Sequence, residues 1–157
     1  MSFKYQLTCL EGKRPEKKRI SDAGYDLHLV KFIKEQDGVY YYDTGVAIEL
    51  PYGYYGLLAG RSSIAKSGYM LANSIGVIDN EYRGSLIVAL IKIRPDVADL
   101  QLPNKLVQLL PIRQCFQALP YEVPSLDETN RQDTGGLGSG QFVTQSSKKE
   151  LGTQNDQ

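Results

Sequence analysis

Asp79-Asn80-Glu81-Tyr82-Arg83-Gly84 puts an acid, an aromatic and a base into six residues between the apolar runs Ile75–Ile78 and Leu86–Ile91. A carboxylate at the end of a strand, open to a pocket, can serve as a general base toward water. An Asp-Asn pair also caps turns, and Tyr82 can cover a sugar or merely the tight hairpin expected of this segment. Gly60-Arg61-Ser62-Ser63-Ile64-Ala65 joins a cation and two hydroxyls to a possible helix start. Free N–H groups at such a start attract phosphate, although the same residues suit an ordinary N-cap. Arg131 through Gly140 couples an arginine to a glycine-rich run. Its backbone can wrap an anion while the guanidinium pairs with a terminal phosphate, or it can be a flexible tail. It is neither a Walker loop nor a Rossmann turn. Asp22-Ala23-Gly24-Tyr25-Asp26-Leu27 sets two acids around a glycine and also reads as a loop entering a strand.

The elements that must hold these residues are strands. Short β-branched and aromatic runs recur between Gly, Pro, Asn and Asp: 38–43, 45–50, 54–59, 85–93 and 105–110. That spacing predicts an all-β sandwich or barrel. Ser63 to Ser67 is the place for a helical turn, opened by serines able to cap it and closed at Gly68. The basic cluster Lys13–Arg19 reads as a solvated loop rather than a nucleic-acid patch. From Gln141 onward the chain is mostly polar and is expected to be disordered.

A chain of 157 residues fits one domain, which buries roughly 68–70% of its unfolded surface without needing a disulfide. Cys9, Cys115 and the single His28 make a poor metal inventory, and both cysteines read as plain thiols of a reducing compartment. With 18 basic and 18 acidic residues, attraction to duplex nucleic acid lacks support. The sequence shows neither a membrane span nor a secretion signal, so an intracellular protein, cytoplasmic or nuclear, is expected.

Taken together and in order, these stretches resemble the five motifs of the dUTP pyrophosphatase (dUTPase) family, from about residue 20 to 140. The first three are Asp22–Leu27, Gly60–Ala65 and Gly76–Gly84. Lys105-Leu106-Val107-Gln108-Leu109 resembles the fourth, and Arg131–Gly140 the fifth. The resemblance implies a jelly-roll-like distorted β barrel over residues 1–130, an arm at 131–140 that closes the site, and a tail at 141–157. It implies a homotrimer whose sites combine motifs of more than one chain. It also implies hydrolysis of dUTP to dUMP and pyrophosphate, with Asp79 as the base that activates water.

By the same resemblance, Asn73, Gly76 and Ile78 belong to the uracil site, and Tyr82 packs on the deoxyribose where a 2′-hydroxyl would clash. Arg61, Ser62 and the backbone of Ser63 face the phosphates, and Gln108, on the phosphate side of the site, is catalytic with Asp79. Arg131, Leu137, Gly138 and Ser139 come from the arm. Asp26 meets Mg2+ through water, the ion being held mainly by the triphosphate, as suits a cation that prefers oxygen and keeps its waters.

The fifth motif departs from the family's Arg-Gly-x-Gly-Gly-Phe-Gly-Ser-Thr-Gly. Leu137 replaces the aromatic, one extra residue follows Arg131, and the threonine is missing. That departure supports another reading, a relative that binds nucleotide or protein with weak or lost turnover. A further one is dCTP deaminase, a related fold that also carries Gly-Arg-Ser-Ser. The deaminase needs a glutamate where this chain has Ala89.

Overall fold

The computed structural model describes residues 2–115 and 119–127. Strands run as β1 (Lys4–Leu7), β2 (Tyr25–Leu29), β3 (Lys31–Gln36), β4 (Val39–Asp43), β5 (Val46–Glu49) and β6 (Tyr54–Gly60). A 3-10 helix (Ser62–Lys66) follows, then β7 (Tyr69–Leu71), β8 (Gly76–Ile78), β9 (Ile87–Lys92) and β10 (Asn104–Arg113). All pairings are antiparallel. The sheets are β1-β5, β2-β10-β6-β8 and β3-β4-β9-β7. The expected all-β class is what the chain adopts.

Alternation along the strands explains the layers. On β10, Val107 and Leu109 are fully buried while Gln108 and Leu110 are half-buried, the period-2 signature of a sheet with one core face. Leu27, Leu29 and Leu58 of the same sheet join Tyr42, Leu71, Val88 and Leu90 of the other four-stranded sheet in one apolar core. The β3–β4 hairpin turns on Asp37 and Gly38, with φ of 53° and 78°, as a two-residue turn matched to strand twist requires.

These strands all lie in the compact unit Met1–Leu119. Of the second unit, Pro120–Gln157, only 120–127 are described, and they carry no strand or helix. The arm at 131–140 and the tail at 141–157 lie outside the described residues.

Three local expectations are corrected. The segment after Asp79 is not a hairpin: β8 pairs with β6, whereas β9 pairs with β4 and β7. Residues 79–86 therefore cross from one sheet to the other, because each flanking strand finds a long-range partner. Arg61, not a serine, is the N-cap of the 3-10 helix, and no side chain among the described residues caps it. Ser62 and Ser63 are already helical residues and stay exposed. The basic cluster is not wholly solvated. Glu16 forms a backbone bridge with Asp26, and the Lys17 ammonium sits 4.5 Å from the centre of the Tyr25 ring.

Candidate active site

The β2-β10-β6 ladder brings one polar group of candidates together. Gln108 is paired with Asp26 on one side and Ala59 on the other, so the Asp26 and Gln108 side chains share the face of the sheet turned from the core. Arg61, just past β6, places Nε 2.6 Å from Asp26 Oδ1. Its Nη1 also donates to Lys105 O at 2.9 Å, and its backbone N–H donates to Leu106 O at 2.8 Å. The guanidinium is thus fixed between two strands with 31% of the side chain exposed. Gln108 Nε2 donates to Gly60 O at 3.2 Å. Gly24 makes room for it, since a Cβ there would lie well inside contact distance of Gln108 Oε1. Ser63 Oγ lies 3.5 Å from Lys105 O, and Ser62 is exposed.

Two further charges border this group. Lys105 pairs with Glu16, which holds the Glu16 carboxyl below its usual range. His28 is 8% exposed, and its Nδ1 has no hydrogen-bond partner among the described residues. Burial first, then the nearby Lys105 charge, holds its imidazole in the neutral form to lower pH than usual. Glu16 lies outside the five motifs. Its signal was weak, a single acid inside a basic run.

The second group lies along β8. Ser74 takes φ of 61°, turning the chain so that the Asn73 amide nitrogen lies 3.6 Å from where a Gly76 Cβ would stand. Gly76 pairs with Leu58, and Ile78 pairs with Gly56, whose missing side chain leaves space for it. Asp79 follows the last ladder residue and is exposed. Tyr82 N–H closes a turn on Asp79 O at 3.1 Å, and Tyr82 Oη donates to Ser85 O at 2.9 Å. Gly84 has no side chain to interfere: a Cβ there would lie 2.5 Å from Tyr82 Oη.

The second group runs alongside β6, with Gly76 at Leu58, so that only its far members, from Asp79 on, sit at the opposite end of β6 from Arg61. Arg61 follows the last residue of β6, whereas Asp79 adjoins its start, where Asn80 Nδ2 reaches Tyr54 O at 2.8 Å. The seven residues of β6 put those ends six steps apart, roughly 20 Å at strand rise. One chain therefore does not place the carboxylate of Asp79 beside the cation of Arg61. Arg131, Leu137, Gly138 and Ser139 lie outside the described residues. Ala89, on β9 opposite Tyr41, supplies no carboxylate for deamination.

With that geometry in place, comparison defines the class. The family model described as dUTPase matches residues 11–140, and the chain belongs to the dUTPase family. It is 38% identical over 128 residues to the deoxyuridine 5'-triphosphate nucleotidohydrolase of Rhodococcus erythropolis, covering 80% of this chain and 77% of that one. A variant of the dUTPase of Staphylococcus bacteriophage 80alpha, solved with dUpNHpp, superposes with a TM-score of 0.73. It is 19% identical, and the match spans 88% of this chain and 97% of the phage chain. The dUTPase of phage phi11 of S. aureus, in a variant that shows the coordination of a structural Mg(II) ion, gives a TM-score of 0.61 at 22% identity. That match covers 83% of this chain and all of the other.

Proposed function

We infer that this chain hydrolyses dUTP to dUMP and pyrophosphate. The observation that carries the reading is the family match over 130 of 157 residues, which spans Asp26, Arg61, Asp79 and Gln108 in motif order. Asp79 takes a proton from water as its oxygen attacks the α-phosphorus. The bond from that phosphorus to the α,β-bridging oxygen breaks, and pyrophosphate departs with the electron pair. Asp79 is exposed at a strand end, as a base that must meet solvent water requires. Arg61, Ser62 and the backbone of Ser63 bind the phosphate chain, with Gln108 beside them. Asn73, Gly76 and Ile78 hold uracil, and Tyr82 excludes a 2′-hydroxyl. Arg131, Leu137, Gly138 and Ser139 complete the site from the arm.

Asp26 fits Mg2+ only as an outer partner. Among the described residues no group of three His, Cys, Asp or Glu could cage an ion, and Asp26 Oδ1 already faces Arg61. A lone carboxylate reaching the ion through water suits magnesium, which dehydrates reluctantly. Bound there with the triphosphate, the ion would neutralise phosphate charge.

A homotrimer follows from the same reading, and two features support it. Asp79 and Arg61 are a strand-length apart, so a neighbouring chain is needed to join them. The outer face of the β2-β10-β6-β8 sheet is also apolar: Leu57 pairs with Leu110 and Val77, Tyr55 pairs with Ile112, and Val77 is 63% exposed. Burying such a face is a common driving force for association. Pyrophosphate release from dUTP, measured beside UTP and dCTP with an ammonia assay, tests the reaction. Release from dUTP alone, without ammonia, is the expected result. No release from dUTP by the folded protein would leave the binding or regulatory reading, and ammonia from dCTP would leave the deaminase.

A further inference from the structure

The β6–β8 ladder ends at the pair Gly56–Ile78, one residue before Asp79. Continuing its register by two residues sets Asn80 opposite Tyr54. The pairing does continue there, through a side chain. Asn80 Nδ2 lies 2.8 Å from Tyr54 O, 3.0 Å from Pro51 O and 3.2 Å from Leu50 O. Three acceptors around one terminal atom admit only the nitrogen, because an amide oxygen turned the same way would face three carbonyls. Two N–H groups serve three oxygens, so at least one hydrogen is shared.

The three acceptors belong to the turn that joins β5 to β6. Tyr54 N–H donates to Pro51 O at 3.1 Å, and Leu50 is buried in the core. The amide is therefore anchored to a turn closed by its own hydrogen bond and seated by the buried Leu50 side chain. On its own side, Asn80 O accepts from Arg83 Nη1, and Asp79 O accepts from Tyr82 N–H. Asp79 is held by a backbone ladder on one side and by this amide clamp on the other. An exposed carboxylate so placed keeps only its own side-chain torsions.

We propose that Asn80 is a positioning residue for the reaction: it fixes the backbone of Asp79 by tying the next residue to the 50–54 turn. The inference rests on Asp79 being the base. Its effect belongs to the chemical step, since a small displacement of an aligned group costs rate more than binding. Leu50, Pro51 and Tyr54 take part only through backbone carbonyls, so their side chains are not part of the device.

The test compares Asn80→Ala, Asn80→Asp, Asp79→Asn and Val88→Ala in the full chain, by steady-state dUTP hydrolysis at a temperature where all are folded. Val88 is a core residue of β9, paired with Tyr42, and makes none of the clamp's hydrogen bonds, so its truncation should lower the melting temperature and leave those bonds in place. Asn80→Ala is expected to lower kcat about tenfold or more with KM nearly unchanged. Asn80→Asp, which keeps the shape but turns a carboxylate on three carbonyls, should lose more. Val88→Ala should keep kcat despite its lowered melting temperature. If Asn80→Ala does not fold, Asn80→Ser, with one donor, carries the same comparison. Full kcat in the folded Asn80 variants, beside an inactive Asp79→Asn, overturns the positioning role alone. An equal kcat loss in Val88→Ala also overturns it, because the effect would then be general loosening. Normal turnover in Asp79→Asn removes the base, and the clamp's role with it.

Discussion

Asp79 and Arg61 stand at the two ends of one strand: Arg61 continues β6, and Asp79 lies where β8 leaves it beside Tyr54. The proposed base and the proposed phosphate cation are thus parted by the length of β6 within a chain. Each is held in place separately, Arg61 by Asp26 and Lys105 O, and Asp79 by the ladder and its turn. This separation shapes what each substitution should do.

Removing the base without changing its shape is the most direct test. Asp79→Asn should lower turnover on dUTP by roughly 10²–10⁴-fold, the usual share of a general base. KM should hardly move, because the proposed site gives the phosphates to other residues. Near-normal turnover would show that another group activates water.

Sugar selection can be probed at Tyr82 and, independently, at Gly84. Tyr82→Ala removes the ring, so the ratio of kcat/KM for dUTP over UTP should shrink. Gly84→Ala keeps the ring but puts a Cβ 2.5 Å from its hydroxyl, which must break the bond to Ser85 O or shift the ring. Its selectivity should fall too, by less. Two unchanged ratios would remove Tyr82 from sugar recognition.

Gly24 offers a similar indirect test of Gln108. A methyl group there must displace the Gln108 amide from Gly60 O. Gly24→Ala and Gln108→Ala should therefore give losses of kcat/KM of similar size. A silent Gly24→Ala beside an impaired Gln108→Ala would mean that Gln108 acts in another rotamer.

The alkaline limb of stability should carry the mark of Tyr42. Burial first, with the Tyr69 hydroxyl beside it, pushes its phenol up to about 12 from an ordinary value of 10.0. Between those values the folded state holds a proton that the unfolded state has released, so stability falls as pH rises from 10 to 12. Tyr42→Phe should flatten that part of the melting-temperature profile relative to the unsubstituted chain. Parallel profiles would show that Tyr42 ionises as freely folded as unfolded.

The strands were legible because their short apolar runs carry the right residue types and are cut by turn residues. Runs 54–59 and 105–110 became β6 and β10 with ends shifted by a few residues. Which strand pairs with which was not legible, and this is why residues 79–84 read as a hairpin. Val77 and Ile87 look like neighbours across a turn, yet one pairs with Leu57 and the other with Asp43. Asp26, Arg61 and Gln108 could be named from motifs. Their meeting across β10, and the clearance at Gly24, required the register. Asn80 looked like turn punctuation, since nothing local says that its amide will meet residues 50–54.

The distance between Asp79 and Arg61 leads to the most decisive prediction. Two inactive variants, Asp79→Asn and Arg61→Gln, each retain what the other lacks. Neither can repair a site built from one chain. If a site takes the base from one chain and the cation from its neighbour around a ring of three, every mixed trimer contains one repaired site. Random mixing of equal amounts then restores about a quarter of all sites, because about three quarters of such rings are mixed and each repairs about one site in three. Co-refolding the two variants and measuring pyrophosphate release against the unsubstituted protein reads that fraction, with sedimentation reporting the assembly. Activity near a quarter supports sites shared between chains. A mixture as inactive as its parts, yet trimeric, would mean that both residues serve one site within a chain or that one has no part in it. The single variants' losses in kcat separate those two cases.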